Sequence, residues 1–227
     1  MIKSWLPLEA NPELLSSYCH RIGLECTAAV CDVLSVEDWA LDMLPGPAHA
    51  ILLLYPLGNV KVDPPVASIS SSAPVIFMKQ NIENACGTIA VLHALLNLHA
   101  QGSLEFEEKS YVRRMYEVIL DLTPQQRADW LASDEEITRA HASYECEGQS
   151  AAIEGDVDTH FIAFIPSPDK SRVIELDGRK SGPVDHGPIT DDPDDPHGFG
   201  RSVLNVVKEK FIANNPDDIR FSILAIS

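Results

Sequence analysis

QNIENACGTIAVLHALLN, residues Gln80–Asn97, is the stretch on which the reading of this chain turns. From Cys86 onward, Ile89, Leu92 and Leu96 recur at helical spacing, so a helix is expected from Cys86 to about His99. Upstream, Pro74–Met78 is a short apolar run that reads as a buried strand, with Lys79–Ala85 as the connecting loop. Cys86 thus falls in the first turn of a helix, where the dipole and the free backbone N–H groups favour thiolate. Thiolate is the form of cysteine that attacks a carbonyl carbon. Gly87 beside it is expected to leave room for a substrate backbone. A buried, inert cysteine at a helix start fits the same position equally well. Gln80, on the loop entering the helix, can join the Cys86 backbone N–H in holding an oxyanion. A loop-capping glutamine is the competing reading.

Two downstream strands bear on that choice. Thr159–Ile165 and Arg172–Leu176 are apolar runs separated by the turn-rich segment Pro166–Ser171. A hairpin centred on that turn pairs Ile165 with Arg172 and, further along, His160 with Asp177. Directly opposite residues have Cβ atoms ~4.5–5.5 Å apart, close enough for a carboxylate to orient an imidazole. A slip of one residue would send the two side chains to opposite faces. His160 alone reads as a satisfied core histidine; the facing aspartate turns the reading towards catalysis.

Around this centre the chain alternates irregularly. Asn11-Pro12 with Leu14, Leu15, Tyr18, Ile22 and Gly23 reads as a capped helix with a glycine stop. Val30–Leu34 and Ala50–Leu57 read as buried strands, and residues 58–73 as loop. Val112–Ile119 gives another helix, and capping boxes beginning at Thr123 and Ser133 announce two more. Ala142–Asp158 reads as a long loop, Ser202–Ala213 as a helix and Arg220–Ile226 as a closing strand. The acidic run at 191–196 reads as a solvated loop. Helices and strands mix without regular βαβ alternation, which suggests an α+β domain.

Composition narrows the function. The net charge is −17, and no basic patch is visible, which argues against nucleic acid and against an anionic membrane surface. A basic protein tail is the better electrostatic match, although solubility alone also accounts for such a charge. The five cysteines, Cys19, Cys26, Cys31, Cys86 and Cys146, include no CxxC pair, so a disulfide framework or zinc ribbon is not expected. His93 and His99 fall in a helix and His186 and His197 in loops, with no ligand spacing, so no metal is expected. The start, MIKSWLPLEANPELL, has no leader-like apolar core, and no run is long enough to span a bilayer. A soluble protein of the cytoplasm is expected, with nuclear residence also open.

The Gln80–Asn97 block resembles the active-site signature of the ubiquitin C-terminal hydrolases, the C12 peptidases, and most closely the short, single-domain L3 type. The resemblance runs on through WLPLEANPE at Trp5–Glu13, FMKQ at Phe77–Gln80, EGQ at Glu147–Gln149, HFIA at His160–Ala163 and ELDGRK at Glu175–Lys180. It implies one catalytic domain over 1–227, with a papain-like fold: a central antiparallel sheet flanked by helices, and a knotted backbone. It also implies that Cys86 is the nucleophile, Gln80 the oxyanion donor, His160 the base and Asp177 its orienting carboxylate. No cofactor is implied. Ubiquitin contacts are implied at Pro7, Leu8, Glu9, Ala10, Asn11 and Pro12, at Glu147, Gly148 and Gln149, and at Ile219, Arg220 and Phe221.

The family likeness further implies that the 142–158 segment crosses over the cleft. A strap of that length closes an aperture of only ~20 Å, whereas a folded domain of some 75 residues is ~30 Å across. Small or unstructured adducts of ubiquitin are therefore the expected substrates, cut by a monomeric enzyme. Nedd8 as the main substrate, or a binding module that has lost turnover, are the rival readings.

Overall fold

The computed structural model describes residues 3–58, 75–144, 158–190 and 195–227. Its centre is an antiparallel sheet of six strands: β1 (Val30–Asp32), β2 (Ala50–Pro56), β3 (Thr159–Pro166), β4 (Arg172–Leu176), β5 (Val184–Pro188) and β6 (Ser222–Ile226). They lie in the order β1-β6-β2-β3-β4-β5. Because side chains alternate along a strand, each strand feeds two cores. Leu52, Ala163, Ile165, Ile174 and Leu224 face one side. Ile51, Leu53, Tyr55, Ile162, Phe164 and Ala225 face the other. This is why AILLLYP in β2 and FIAFI in β3 are apolar without interruption: both faces are covered.

On the first face lie α1 (Pro12–Ile22), α2 (Cys86–Ala100), α3 (Tyr111–Ile119), α4 (Pro124–Ser133) and α5 (Glu135–Tyr144). The second face is covered by α6 (Gly198–Val206), which runs on as a π-helical turn over Val207–Ile212. The sequence reads that stretch as a single helix from Ser202. Asn11 Oδ1 accepts from the Leu14 N–H and Gly23 closes α1 in the left-handed region at φ +119°, as the Asn-Pro and Gly signals imply. The capping box at Thr123 forms. At the next helix Asp134, not Ser133, is the cap: its Oδ1 accepts from the Ile137 N–H at 3.0 Å.

Four other expectations need correcting. Residues 142–144, expected in a long loop, belong to α5; residues 145–157 of that expected loop lie outside the described residues. So do nearly all of 58–73 and residues 191–194. VDHGP forms β5 with no apolar alternation to announce it, and it carries His186 out of the loop class. The β3–β4 register pairs Ile165 with Ile174 and Ala163 with Leu176, two residues away from the pairing expected from the turn. The turn does not centre on the apolar boundaries, because Ser167 hydroxyl and backbone groups fold its residues back towards β4. A slip of two preserves the face, so His160 and Asp177 remain on the same side of the sheet.

The last correction concerns the apolar run before the nucleophile. Residues 76–78 are buried, and 75–78 join no sheet among the described residues. Side chains satisfy their backbone instead. Asn97 Oδ1 accepts from the Ile76 N–H at 2.8 Å, and Asn97 Nδ2 donates to the Ile76 carbonyl at 2.8 Å. His93 Nε2 accepts from the Met78 N–H at 3.0 Å, and Arg127 donates to the Phe77 carbonyl at 2.9 Å. A short apolar run cannot be told from a strand by its composition when its partners are side chains distant in sequence. Among the described residues no helix is long and apolar enough to cross a membrane.

Asn97→Ala removes both partners of Ile76 inside the core. It is expected to cost about 2–6 kcal/mol, since each of the two buried backbone groups left unpaired costs ~1–3 kcal/mol. Urea unfolding of the variant against the parent measures this; a change under ~1 kcal/mol would show that water replaces the amide.

Candidate active site

Cys86 is the first residue of α2, and its aim is set by the loop before it. Glu83 is held by the N-terminal segment: its N–H donates to the Lys3 carbonyl, and its carbonyl accepts from the Trp5 N–H, both at 3.0 Å. Asn84 then turns the chain at φ +60°, a conformation asparagine tolerates better than most residues. Ala85, at the N-cap, has no side chain to offer the first N–H groups of α2. The helix therefore starts with uncapped donors beside the thiol. Gly87 does not open space for a substrate, as the sequence suggested. A Cβ there would meet Leu8 Cβ at 3.2 Å and Phe161 Cδ2 at 3.4 Å, so its small size admits Leu8 instead.

His160 stands near the start of β3, opposite Tyr55 of β2, and the two rings meet edge to face at 5.9 Å. Its Nε2–H donates to Asp177 Oδ1 at 2.7 Å, and both side chains are buried. With Nε2 so committed, Nδ1 carries the lone pair. Nδ1 is buried with no hydrogen-bond partner, while the Cys86 thiol interacts with the ring. Asp177 lies just past the last β3–β4 pair, and its Oδ1 also accepts from the Arg179 N–H at 2.8 Å.

Gln80 reaches the same place from the other side. Its backbone N–H donates to the Gly178 carbonyl at 2.9 Å, which ties the glutamine loop to the residue after Asp177. Its side-chain Nε2 donates one hydrogen to the Ile82 carbonyl at 3.1 Å. An amide nitrogen has two hydrogens, so one remains for another acceptor. Its Oε1 is buried with no hydrogen-bond partner among the described residues, a cost of ~1–3 kcal/mol tolerated where the donors are the part in use.

The electrostatics of the three titratable groups agree. Burial pushes the Cys86 thiol up, but the His160 imidazole, the Phe161 backbone and the Arg179 charge overcome it and leave the thiol below its ordinary value. Burial alone would depress His160; Asp177 and Cys86 instead hold its imidazolium above the ordinary histidine range. Burial would raise Asp177, but His160, the Arg179 N–H and Lys180 keep its carboxyl below the usual carboxylate range. Together the directions favour thiolate, imidazolium and carboxylate in a row.

Cys86, His160, Asp177 and Gln80 are thus brought together. The expected partner contacts divide differently. Leu8 is buried against Gly87, and the Asn11 side chain caps α1. Pro7, Glu9, Ala10 and Pro12 are half-buried. Ile219 is 93% exposed, and Phe221 is half-buried. Arg220 pairs with Asp218 and, at 2.6 Å, with Asp158, two residues before His160, so this segment flanks the site. Glu147, Gly148 and Gln149 lie outside the described residues. Gly178 and the Arg179 N–H were not singled out from the sequence, although a DG pair ending a strand is the signal that could have found them. Among the described residues no group of three or more His, Cys, Asp or Glu could hold a metal.

Comparison with known proteins places this geometry in context. The family model described as "Ubiquitin carboxyl-terminal hydrolase, family 1" matches residues 5–211. Ubiquitin carboxyl-terminal hydrolase 3 of Arabidopsis thaliana is 36% identical, covering 99% of this chain and 94% of its own length. Ubiquitin carboxyl-terminal hydrolase isozyme L1 of Rattus norvegicus is 34% identical over 97% of this chain and 96% of its own. Among solved structures, the catalytic domain of Trichinella spiralis UCH37 bound to ubiquitin vinyl methyl ester superposes with a TM-score of 0.74 at 24% identity. It covers 98% of this chain and 94% of that one.

A Cβ at Gly178 would come within 3.0 Å of Gln80 Cβ and 3.1 Å of both Gln80 N and Ile89 Cγ2. Gly178→Ala is therefore expected to push the Gln80 and Asp177 loops apart, costing about 1–3 kcal/mol. Turnover is expected to fall by more than the folded fraction does, by tenfold or more, because small displacements of reacting groups are expensive. Activity per folded molecule, with folding followed by tryptophan fluorescence, is the deciding quantity.

Proposed function

The chain belongs to the ubiquitin carboxyl-terminal hydrolase family 1, and on that footing we propose that it hydrolyses small or unstructured adducts from the C-terminal glycine of ubiquitin through Cys86, His160 and Asp177. It is a cysteine-type hydrolase by family. The observation that carries the finer reading is the row itself: an uncapped helix start bearing Cys86, a buried imidazole beside it, and a carboxylate 2.7 Å from that imidazole.

The reaction is acyl transfer to water. The Cys86 thiol gives its proton to His160 Nδ1, and the thiolate attacks the glycine carbonyl. The second Gln80 Nε2 hydrogen and the uncapped N–H groups of α2 receive the oxyanion. His160 returns the proton to the departing amine, and the C–N bond breaks to leave a thioester. Water, deprotonated by the same nitrogen, attacks the thioester carbonyl, and the thiol is released with ubiquitin's free carboxylate. Asp177 holds the ring in the tautomer that presents Nδ1 and stabilises the imidazolium that forms.

The partner surface is proposed to include the 7–12 segment and exposed Ile219, with the acidic chain drawing in a basic tail. The enzyme is proposed to act as a monomer. Nedd8, the alternative modifier, presents the same chemistry, and the same assay with a Nedd8 amide measures the preference.

Cys86→Ala is expected to leave less than ~1% of turnover on ubiquitin carrying a small fluorogenic amide, since loss of a nucleophile costs many orders of magnitude. Ubiquitin binding, read by calorimetry, is expected to survive. Residual hydrolysis above that level would assign the nucleophile elsewhere. The size limit is tested separately. Residues 145–157 link the end of α5 to Asp158, and a chain of that length admits an extended peptide more readily than a folded domain. Isopeptide-linked diubiquitin is expected to be cut far more slowly than the small amide, and equal rates would refute the restriction.

A further inference from the structure

The β3–β4 ladder ends at Ala163–Leu176, so the sheet does not hold Asp177. The turn that follows closes on itself, with the Lys180 N–H donating to the Asp177 carbonyl at 3.0 Å. Its far end is then fastened back to the strand it has just left. Lys180 Nζ lies 2.6 Å from Glu175 Oε1, and the two side chains are 9% and 1% exposed. Glu175 lies two residues before Asp177, within the paired part of β4. The other Glu175 oxygen accepts from His186 Nε2 of β5 at 2.8 Å. Lys79 adds a donor to the Lys180 carbonyl at 2.5 Å.

We propose that Glu175, Lys180 and His186 form a buried positioning cluster that fixes the 177–180 turn and thereby holds Asp177 against His160. The proposal rests on the Cys86–His160–Asp177 reading given above.

Stability is a poor explanation for these charges. A buried ion pair must recover the desolvation of both partners, and apolar side chains of similar volume often serve as well or better. What apolar side chains cannot do is set direction. The Lys180–Glu175 ion pair ties the end of the turn to β4, and the His186 hydrogen bond holds the other Glu175 oxygen. The cluster also reaches His160 by a second route. The His186 ring lies 5.8 Å from Phe164, Phe164 lies 6.0 Å from Phe211, Phe211 lies 4.9 Å from Tyr55, and Tyr55 packs on His160. The turn and the imidazole are thus located by connected contacts on one face of the sheet.

The pH dependence separates positioning from mere folding. The groups around the His160–Asp177 pair are Cys86 and His93 of α2, Tyr55 of β2, Glu175 of β4, and Arg179 and Lys180 of the turn. With thiolate and imidazolium as the active pair, activity rises as the lowered thiol deprotonates and falls as the raised imidazolium loses its proton. Loosening Asp177 destabilises imidazolium, which moves the alkaline limb down. A weaker imidazolium then supports the thiolate less, which moves the acid limb up. The bell narrows from both sides.

The test uses the full chain with Glu175→Gln and Lys180→Met together, which removes both charges at once. Turnover of ubiquitin bearing a small fluorogenic C-terminal amide is followed from acid to alkaline pH. The expected result is kcat reduced about tenfold or more with KM little changed, and a narrowed bell. His186→Gln keeps the ion pair and is expected to narrow the bell in the same sense by less, which gives an independent reading should the double variant not fold. Folded variants whose limbs coincide with the parent's overturn the proposal, even if their activity is lower. Asp177→Asn in parallel distinguishes the two levels. A parental rate and bell for Asp177→Asn removes the catalytic reading itself. A slow Asp177→Asn beside a parental bell in the cluster variants removes the positioning role alone.

Discussion

A helix buried on all sides cannot leave its polar side chains to water, and α2 is such a helix from Cys86 to Leu98. Thr88, His93 and Asn97 are its buried polar side chains, and each fastens another part of the chain. Thr88 Oγ1 lies 3.0 Å from the Tyr18 hydroxyl of α1 and 2.9 Å from His141 Nδ1 of α5, whose Nε2 lies 2.8 Å from the Leu6 carbonyl. His93 and Asn97 hold the backbone of residues 76–78. At ~1.5 Å of rise per residue, the helix spaces these anchors along ~14 Å. With the far end gripping the segment that leads to Gln80, and the near end gripping the N-terminal segment, Cys86 has little freedom. A polar group stranded in this interior would cost ~1–3 kcal/mol, comparable to a sizeable part of a domain's total stability. Burial also keeps His93 neutral, its value depressed to about 4, so it can accept from Met78 at ordinary pH.

That arrangement explains what could and could not be read beforehand. Features whose cause is local were legible: the Asn11 cap and Gly23 stop of α1, the Thr123 capping box, the apolar runs of β2 and β3, and the placement of Cys86 at a helix start. Features whose cause lies far away in sequence were not. Residues 75–78 look like a strand because they are an apolar run, yet Asn97, His93 and Arg127 take the place of a neighbouring strand. VDHGP becomes a strand because β4 offers an edge, not because of its own pattern. Gly87 looked like space for a substrate, and the space belongs to Leu8.

The register of β3 and β4 is the instructive case. Side-chain direction repeats every two residues, so an error of two leaves the face intact and changes only the neighbour. His160 and Asp177 meet diagonally and not as a pair, near the diagonal reach of ~7–8 Å between backbones that long side chains can bridge. A sequence argument from alternation can therefore find which residues share a face while missing which rung they occupy. Asp177 ends up beyond the ladder, where the sheet no longer dictates its backbone, and the turn of Gly178 and Arg179 takes over.

Leaving the ladder has an electrostatic use. Inside a regular strand the backbone amides are consumed by neighbours, and a buried carboxylate would face its desolvation with side-chain donors only. One step outside, the Arg179 N–H is available, and Asp177 accepts it as well as the His160 Nε2–H. Glu175, two residues back and still within the ladder, has no such amide and relies on Lys180 and His186. The donors differ: the Lys180 ammonium and the His186 imidazole for Glu175, and a backbone amide and the His160 imidazole for Asp177. Of the two imidazoles, that of His160 is the one the Cys86 thiol acts on, so the carboxylate that accepts from it is placed to stabilise an imidazolium formed when the thiol gives up its proton, and this neighbour separates the role proposed for Asp177 from that proposed for Glu175.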